Sequence, residues 1–247
     1  MAIWISHRGE STDAPENTAS AFRLAAERNT DGIETDIHLT ADNIVICCHD
    51  SDTKRTCGDS FIIEKTNFAD LRKLDASNGK KEFSGEPLPT FAEALAILPP
   101  GKKFYVEIKE NDPRVIEPMI SEINKAGVSF DQIVMISFHA DVVREYKAQY
   151  PAYQALWLTG FTPDAEGRVK TAADIIAVLQ ETKADGVDIN GKRDYIDERF
   201  VKTFHDAGYV FAVWTIDNAD DAAYFVKAGV DVITSNCAAA MCKAVAG

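Results

Sequence analysis

The chain has 247 residues, and its 26 Lys and Arg against 39 Asp and Glu give a formal net charge of −13 at pH 7. This acidic balance argues against a nucleic-acid-binding surface, which needs basic residues to meet the phosphates. No apolar run approaches the roughly 18 residues of a membrane span, and the amino terminus lacks both a basic region and a long apolar stretch. We therefore expect one cytoplasmic domain over residues 1–247, without stable membrane insertion and of a length that suits an α/β barrel.

The cysteines favour a reducing compartment. Their number is odd, and none of their spacings matches the C-x-x-C pattern of zinc or redox sites. A disulfide framework is unusual outside secreted proteins. We expect reduced, packed thiols at all five positions, which are Cys47, Cys48, Cys57, Cys237 and Cys242.

A βαβ unit is predicted at the amino-terminal end of the chain. Residues 2–6 form a short apolar strand, and His7 and Arg8 lie in the turn that follows it. Thr18 opens a helix with apolar residues at helical spacing, and residues 32–39 form the next strand. Strands that alternate with helices predict a parallel sheet with right-handed crossovers, whose functional residues gather at the carboxyl ends of the strands.

Two acidic residues interrupt the apolar strand at residues 32–39. Side chains alternate faces along a strand, so Glu34 and Asp36 project from one face with Cα atoms about 7 Å apart. A carboxylate pair flanked by Ile33 and Ile37 is costly to desolvate unless a cation compensates it. An ion site is therefore the sharper hypothesis, and two carboxylates on a wet strand end are the alternative.

The segment after this strand predicts a hairpin that brings a histidine back to the carboxylates. A turn centred on Asp42 leads into the strand-like residues 44–48, and the link is too short for a parallel crossover. The return strand should therefore run antiparallel, with residue 48 opposite 36 and residue 49 opposite 35. This register places the imidazole of His49 beside the proposed ion site.

Residues 50–89 form a long insertion without sustained periodicity, rich in Asp, Ser, Lys and Gly. Segments of this length in a compact domain are usually functional lids or small subdomains. The insertion contains no histidine and follows His49 directly. We therefore expect it to shape the substrate pocket without supplying a proton-transfer group.

Strand and helix patterns alternate through the rest of the chain. Helices are predicted at residues 90–98, 141–149, 172–182, 197–206 and 219–227, with a last one after residue 235. Strands are predicted at residues 2–6, 32–39, 104–109, 133–138, 153–158, 186–190, 209–216 and 230–235. Eight parallel strands, with the hairpin return left out, match a closed (β/α)8 barrel. The predicted fold class is α/β, a TIM barrel with a small insertion after the hairpin.

The active site of such a barrel lies at the carboxyl ends of its strands. Glu107 and Lys109 end the third strand two residues apart on one face, as Glu34 and Asp36 do on the second. Trp214 ends a later strand and is either a wall of the substrate pocket or part of the barrel core. Other side chains expected at the mouth are His7, Arg8, Phe138, Trp157, Asn190 and Asn236.

Six short motifs follow one another along the chain: His7-Arg8-Gly9, Pro15-Glu16-Asn17-Thr18, Glu34-Thr-Asp36, His49-Asp50, Leu88-Pro-Thr-Phe-Ala-Glu-Ala-Leu95 and Glu107-Ile-Lys109. Each falls at the end of its own predicted strand or in an adjoining loop. This ordered set resembles the glycerophosphodiester phosphodiesterase family over essentially the whole chain. A local departure is Asn43, where the family commonly has Gly.

The resemblance implies a metal-dependent hydrolase that converts glycerophosphodiesters to glycerol 3-phosphate and an alcohol. It implies His7 and His49 as the general acid and base, with Glu34, Asp36 and Glu107 on the metal. The residue chemistry agrees, because an all-carboxylate set suits Mg²⁺ or Ca²⁺ and imidazoles titrate near the working pH. The choice of metal stays open, as does which histidine is the acid.

Arg8, Lys109 and Trp214 are the expected substrate-binding residues for this small-molecule diester. Arg8 can hold the phosphate in a bidentate manner and Lys109 can act as a point charge, although Lys109 could instead pair structurally with Glu107. The entering group is either water or the substrate's own glycerol hydroxyl. The headgroup and the oligomeric state stay open.

Three other functions remain as alternatives. A lyase similar to the phospholipase D toxin barrels would share the two histidines and the Glu-x-Asp pair but form a cyclic phosphate. Its extracellular disulfides are missing here. A catalytically inactive phosphodiester-binding barrel is disfavoured because both histidines and all three carboxylates are present. A purely structural barrel leaves the acidic residues in the strands unexplained.

Overall fold

The computed structural model describes residues 2–246 and contains a closed barrel. Its strands are β1 Ile3–Ser6, β2 Gly32–Leu39, β3 Val45–Cys47, β4 Lys103–Ile108, β5 Ile133–Ser137, β6 Gln154–Thr159, β7 Gly186–Asn190, β8 Val210–Trp214 and β9 Val232–Ser235. All but β3 are parallel, and β1 pairs with both β2 and β9, which closes the ring of eight. The predicted TIM barrel is confirmed.

Helices cover the outside of the barrel. They are α1 Ala19–Glu27, α2 Lys54–Cys57, α3 Phe68–Leu71, α4 Phe91–Leu95, α5 Ile116–Ala126, α6 Ala140–Gln149, α7 Ala172–Thr182, α8 Glu198–Asp206, α9 Ala219–Ala228 and α10 Ala238–Ala246. Among residues 2–246, no helix has both the length and the apolar character needed to cross a membrane.

Helix α5 has no counterpart in the sequence-based prediction. It buries Ile116, Met119, Ile120 and Ile123 on one face, at the spacing of an amphipathic helix. Pro118 masks this pattern in the sequence, because a proline argues against a helix interior. In the structure Pro118 lies in the first turn, where the missing N–H costs no intrahelical hydrogen bond.

The hairpin forms in the predicted register. Strand β3 is antiparallel to β2, with Ile37 opposite Cys47 and His38 opposite Ile46. The amide of Cys48 continues the ladder by donating to the carbonyl of Asp36 at 3.0 Å. His49 follows at once and is thereby returned to the mouth of the barrel.

Two apolar layers hold the barrel together. The outer layer packs the sheet against the helices and includes Trp157, which also borders a groove beside the mouth and donates its indole N–H to the carbonyl of Phe138 at 3.2 Å. The inner layer fills the barrel below the site with Ile5, Tyr105, Val134, Ile136, Leu156, Leu158, Ala212 and Val232. Burial of each Val, Leu or Ile side chain in this layer stabilises the fold by about 1.5–3 kcal/mol. The cavity that holds the candidate site lies above this layer, at the carboxyl ends of the strands.

The insertion packs against the hairpin through a small core of its own. Ile63, Leu71, Ala76 and Leu88 are buried together with Ile46 and Cys48. Short helices α2 and α3 and 3-10 turns make up its backbone. The insertion is therefore ordered by apolar contacts that give no periodic signal in the sequence. The assignment of residues 1–247 to one domain, with residues 50–89 as its insertion, stays a prediction.

Candidate active site

Three carboxylates meet at the mouth of the barrel. Glu34 and Asp36 come from β2, and Glu107 of β4 lies directly beside Asp36 in the parallel register. One oxygen of each side chain lies within 4.8 Å of the other two, and all three side chains are buried. The even spacing along β2 and the in-register pairing with β4 thus produce the cluster that the sequence predicted.

The electrostatics of this cluster are unbalanced. Burial, and then the neighbouring Asp36 carboxylate, raise the pKa of Glu34 and raise the pKa of Glu107 to about 7. Burial also opposes ionisation of Asp36, but Arg8 and Lys109 outweigh it and hold the pKa of Asp36 well below its usual range. Three buried carboxyl groups therefore meet two cations, which stabilise the ionised form of Asp36 but do not offset the burial of Glu34 and Glu107.

Two oxygens of the cluster have no hydrogen-bond partner. Glu34 Oε1 and Asp36 Oδ1 are both buried, and neither accepts a hydrogen bond from residues 2–246, although Asp36 Oδ1 has an ion-pair contact with Lys109 Nζ at 3.3 Å. Buried carboxylate oxygens without partners are costly unless a ligand satisfies them. Because all three donors are hard oxygens, the cluster fits a cation such as Mg²⁺ or Ca²⁺.

Arg8 and Lys109 surround the carboxylates with positive charge. The backbone N–H of Arg8 donates to Glu34 Oε2 at 2.8 Å, and its guanidinium lies 3.1 Å from Asp36 and 2.9 Å from Glu16. Lys109 Nζ lies 2.7 Å from Glu107 and 3.3 Å from Asp36. Lys109 thus makes the structural pair with Glu107 and also lines the cavity. Its role toward substrate stays a prediction.

His7 is anchored by a residue from the other end of the chain. Its Nδ1 lies 2.7 Å from Asn236 Oδ1, and the amide group of Asn236 is oriented by donating its Nδ2–H to Asp217 at 2.6 Å. His7 Nδ1 must therefore be the donor, which leaves Nε2 facing Glu34 at 3.9 Å. Burial, and then the charge of Arg8, lower the pKa of His7 to about 4.

His49 is anchored in a similar way from its own loop. Asp50 Oδ1 lies 2.6 Å from His49 Nδ1, and Arg55 of the insertion holds Asp50 through a 2.7 Å contact. Burial is the largest cause that lowers the pKa of His49. The Nε2 atom of each histidine is thus left free on the cavity side, while a carboxylate or an amide fixes the ring.

Asn17 belongs to the motif Pro15-Glu16-Asn17-Thr18, from which the sequence predicted no role for it. Its Nδ2–H donates to Asp36 at 2.8 Å, while its Oδ1 accepts from the backbone N–H of Asp36 and from Thr35 Oγ1. It holds a positive φ of 55°, which asparagine tolerates better than most residues. The side chain therefore fixes Asp36 from behind the site.

The cavity between these groups has a volume of about 230 Å³. Trp214 lines it, and Phe138 packs edge-on against Trp214 with ring centroids 5.7 Å apart. Asn190 borders a larger adjoining groove instead. The residues that line the cavity are His7, Arg8, Glu34, His49, Glu107, Lys109, Ile136, Phe138, Leu158, Asp188, Trp214, Thr215 and Thr234.

Asp188 is the ionisable cavity residue that the sequence analysis did not identify. It is 1% exposed and belongs to β7, where it shares a strand face with Asn190. Alternation along Gly186–Asn190 was the signal that could have found it, since Asn190 was already expected at the mouth. A single acidic residue in an apolar strand, without a second carboxylate two residues away, did not indicate a functional site.

The fold and the site first define a class of protein. It is a TIM barrel whose mouth holds carboxylates that could bind a cation, two cationic side chains and two anchored histidines. The model of the Glycerophosphoryl diester phosphodiesterase family matches residues 7–239. The chain therefore belongs to this family, as the sequence motifs predicted, and the predicted enzyme class is confirmed with it.

Individual relatives match over nearly the full length of the chain. A glycerophosphodiester phosphodiesterase of Caldanaerobacter subterraneus subsp. tengcongensis is 30% identical, with 94% of this chain and 93% of the relative covered. Human glycerophosphodiester phosphodiesterase 1 is 26% identical, with 90% and 73% covered. The structure of an Oleispira antarctica phosphodiesterase, in complex with the product sn-glycerol-3-phosphate, superposes with a TM-score of 0.87 at 25% identity, covering 98% and 96%.

Proposed function

We propose that this chain hydrolyses glycerophosphodiesters to glycerol 3-phosphate and an alcohol, with a divalent metal ion, Mg²⁺ or Ca²⁺, held by Glu34, Asp36 and Glu107. The observation that carries the proposal is the cluster of three buried carboxylates, with two oxygens that accept no hydrogen bond from residues 2–246, at a cavity that two anchored histidines also line. The substrate class is supported by the names of the relatives and by the product in the Oleispira antarctica structure.

Each part of the mouth has a separate task in this proposal. A metal bound to the carboxylates supplies positive charge that neutralises the phosphodiester and polarises a phosphoryl oxygen. Arg8 and Lys109 orient the phosphate, because both cations border the cavity and are already fixed by neighbouring carboxylates. Fixed cations need little reorganisation when charge develops on the phosphoryl oxygens.

His7 and His49 carry the protons. In-line displacement needs a base on the entering side of the phosphorus and an acid on the leaving side. The two imidazoles come from different elements, and each presents Nε2 to the cavity while Nδ1 is anchored. One therefore takes the proton of the attacking hydroxyl, and the other gives a proton to the leaving alkoxide.

The lyase, inactive and purely structural alternatives are not favoured. Family membership matches a hydrolase, and the groups needed for proton transfer are both present. Phosphorus NMR of the running reaction distinguishes the two entering groups, water and the glycerol hydroxyl. Only attack by the glycerol hydroxyl gives a transient cyclic phosphate.

The setting of the enzyme is part of the same proposal. We infer a single domain over residues 1–247 that acts in the cytoplasm on small diesters rather than on nucleic acid. The net charge of −13 supports this, since it disfavours a polyanionic partner. The insertion at residues 50–89 would form one wall of the substrate pocket.

The test combines chelation with a substrate screen. Protein treated with EDTA should lose turnover of glycerophosphocholine, glycerophosphoethanolamine, glycerophosphoglycerol and glycerophosphoinositol, and Mg²⁺ or Ca²⁺ should restore it. Glu107→Gln should lower the metal content measured by elemental analysis. It should also lower turnover by about 10³-fold, since metal catalysis contributes several kcal/mol. Glu122→Gln, at a surface pair with Lys125, is the matched control and should change neither. Full turnover by metal-free protein would refute the metal site.

A further inference from the structure

Asp188 lies on the opposite side of the cavity from Glu34 and Asp36. In the closed strand order, β7 is four strands from β2 in either direction, so Asp188 stands across the barrel from Glu34 and Asp36. It lines the same cavity as His7 and His49. The proposed chemistry assigns it no task.

The carboxyl group of Asp188 has no hydrogen-bond or ion-pair partner among the described residues. Its Oδ1 is buried without a hydrogen bond, and no ion pair among residues 2–246 involves it. The cations that line the cavity, Arg8 and Lys109, contact Asp36 instead. Burial, and then the charge of Glu107, raise the pKa of Asp188 to about 8, as expected where no side chain neutralises it. Such a group needs a partner from outside the chain.

Two aromatic rings line the same cavity as this carboxyl group. The indole N–H of Trp214 donates to the backbone carbonyl of Asp188 at 3.3 Å, which fixes the ring next to it. Phe138 meets Trp214 edge-on at an interplanar angle of 87°, and both rings line the cavity. Aromatic rings combined with an acid form the environment that binds organic ammonium ions, whereas a neutral hydroxyl requires neither.

We propose that Asp188, together with Phe138 and Trp214, binds the ammonium group of the substrate's headgroup, so that diesters of choline and ethanolamine are preferred over those of glycerol and inositol. This inference rests on the proposed hydrolysis of glycerophosphodiesters. It adds a charge-based choice of headgroup, made by a residue that takes part in no proton transfer.

The test compares one cationic and one neutral substrate. Asp188→Asn keeps the size of the side chain and removes its charge. The ratio of kcat/KM for glycerophosphocholine to that for glycerophosphoglycerol should fall about tenfold, because loss of one pairing worth about 1.4 kcal/mol gives that factor. Asp194→Asn makes the same change of charge at an exposed position in the loop after β7, and should leave the ratio unchanged.

Two further measurements keep the inference falsifiable. Binding of free choline, measured by calorimetry, should weaken about tenfold in Asp188→Asn and needs no turnover at all. Asp188→Ser repeats both measurements in case the first variant folds poorly. An unchanged ratio, or equal losses on both substrates, would overturn the inference and leave Asp188 as a structural or hydroxyl-binding residue. Absence of hydrolysis of every diester by the wild type would instead contradict the proposed function.

Discussion

The two sides of the barrel mouth differ in how their side chains are held. On the side of β1 to β4, both histidines and Lys109 are held by a neighbouring side chain: His7 by Asn236, His49 by Asp50 and Lys109 by Glu107. On the side of β5 to β8, aromatic and aliphatic groups line the cavity, and its one acid, Asp188, has no partner among the described residues.

This difference indicates a division between chemistry and recognition. Catalytic groups must be preorganised, because a shift of about 1 Å can cost about 10²-fold in rate. The ionic side satisfies that demand through its network of hydrogen bonds. A recognition surface needs shape and one or two unsatisfied polar atoms that the ligand can satisfy, and the aromatic side offers those.

Replacement of a histidine tests the division most severely. His7→Ala or His49→Ala should lower kcat by about 10²-fold or more, since each removes one partner of a general acid–base pair. Metal content, measured by elemental analysis, should persist, because neither imidazole belongs to the carboxylate cluster. The measurement is steady-state turnover on a glycerophosphodiester by metal-loaded protein.

His205 provides the control for these variants. It lies on α8, where it contacts Asp231 at 2.9 Å, and it does not line the cavity. His205→Ala should turn over substrate normally. If His7→Ala or His49→Ala also did so, in folded and metal-loaded protein, that histidine would have no place in the mechanism and the ionic side would lose its assigned task.

A smaller effect is expected from the insertion, through Arg55. Its guanidinium makes two 2.8 Å contacts to Glu16 and one of 2.7 Å to Asp50, the residue that anchors His49. Arg55→Met should lower kcat by about fivefold to tenfold, because His49 loses the support of its anchor. Stopped-time assays at saturating substrate separate this loss from a change in KM.

Arg72 is a matched control within the same insertion. It pairs with Glu93 through contacts of 2.6 and 2.8 Å, but neither residue lines the cavity. Arg72→Met should lower thermal stability about as much as Arg55→Met while leaving kcat unchanged. Equal kcat values for the two variants would mean that the insertion supports the barrel without orienting His49.

The sequence predicted the site residues that lie in short local motifs. Glu34 and Asp36 follow from strand alternation, and His49 follows from the length of the hairpin turn, so the ionic side could be predicted before the structure was known. Asn236, which anchors His7, could be placed at the mouth but not paired with it. The two residues are 229 positions apart, and only closure of β1 onto β9 brings them together.

The aromatic side was harder to predict, because inner and outer faces of a buried parallel strand are both apolar. Trp157 and Trp214 have similar surroundings in the sequence, yet Trp157 packs against the helices and Trp214 lines the cavity. The register of β6 and β8 decides this outcome, and no local pattern reports it. The predicted pocket role of Trp214 is therefore the more valuable one to test.

Trp214→Leu is expected to give the smallest effect of the series. The indole contributes its ring surface and its hydrogen bond to the carbonyl of Asp188, and it touches none of the groups proposed to transfer protons. Loss of about 1 kcal/mol of aromatic contact should raise KM about fivefold and leave kcat nearly unchanged. Phe130→Leu is the control, since Phe130 is a 51% exposed aromatic residue just before the amino end of β5. A fall in kcat as large as that of the histidine variants would show that the aromatic side takes part in catalysis. It would contradict the proposed division between catalysis and substrate recognition.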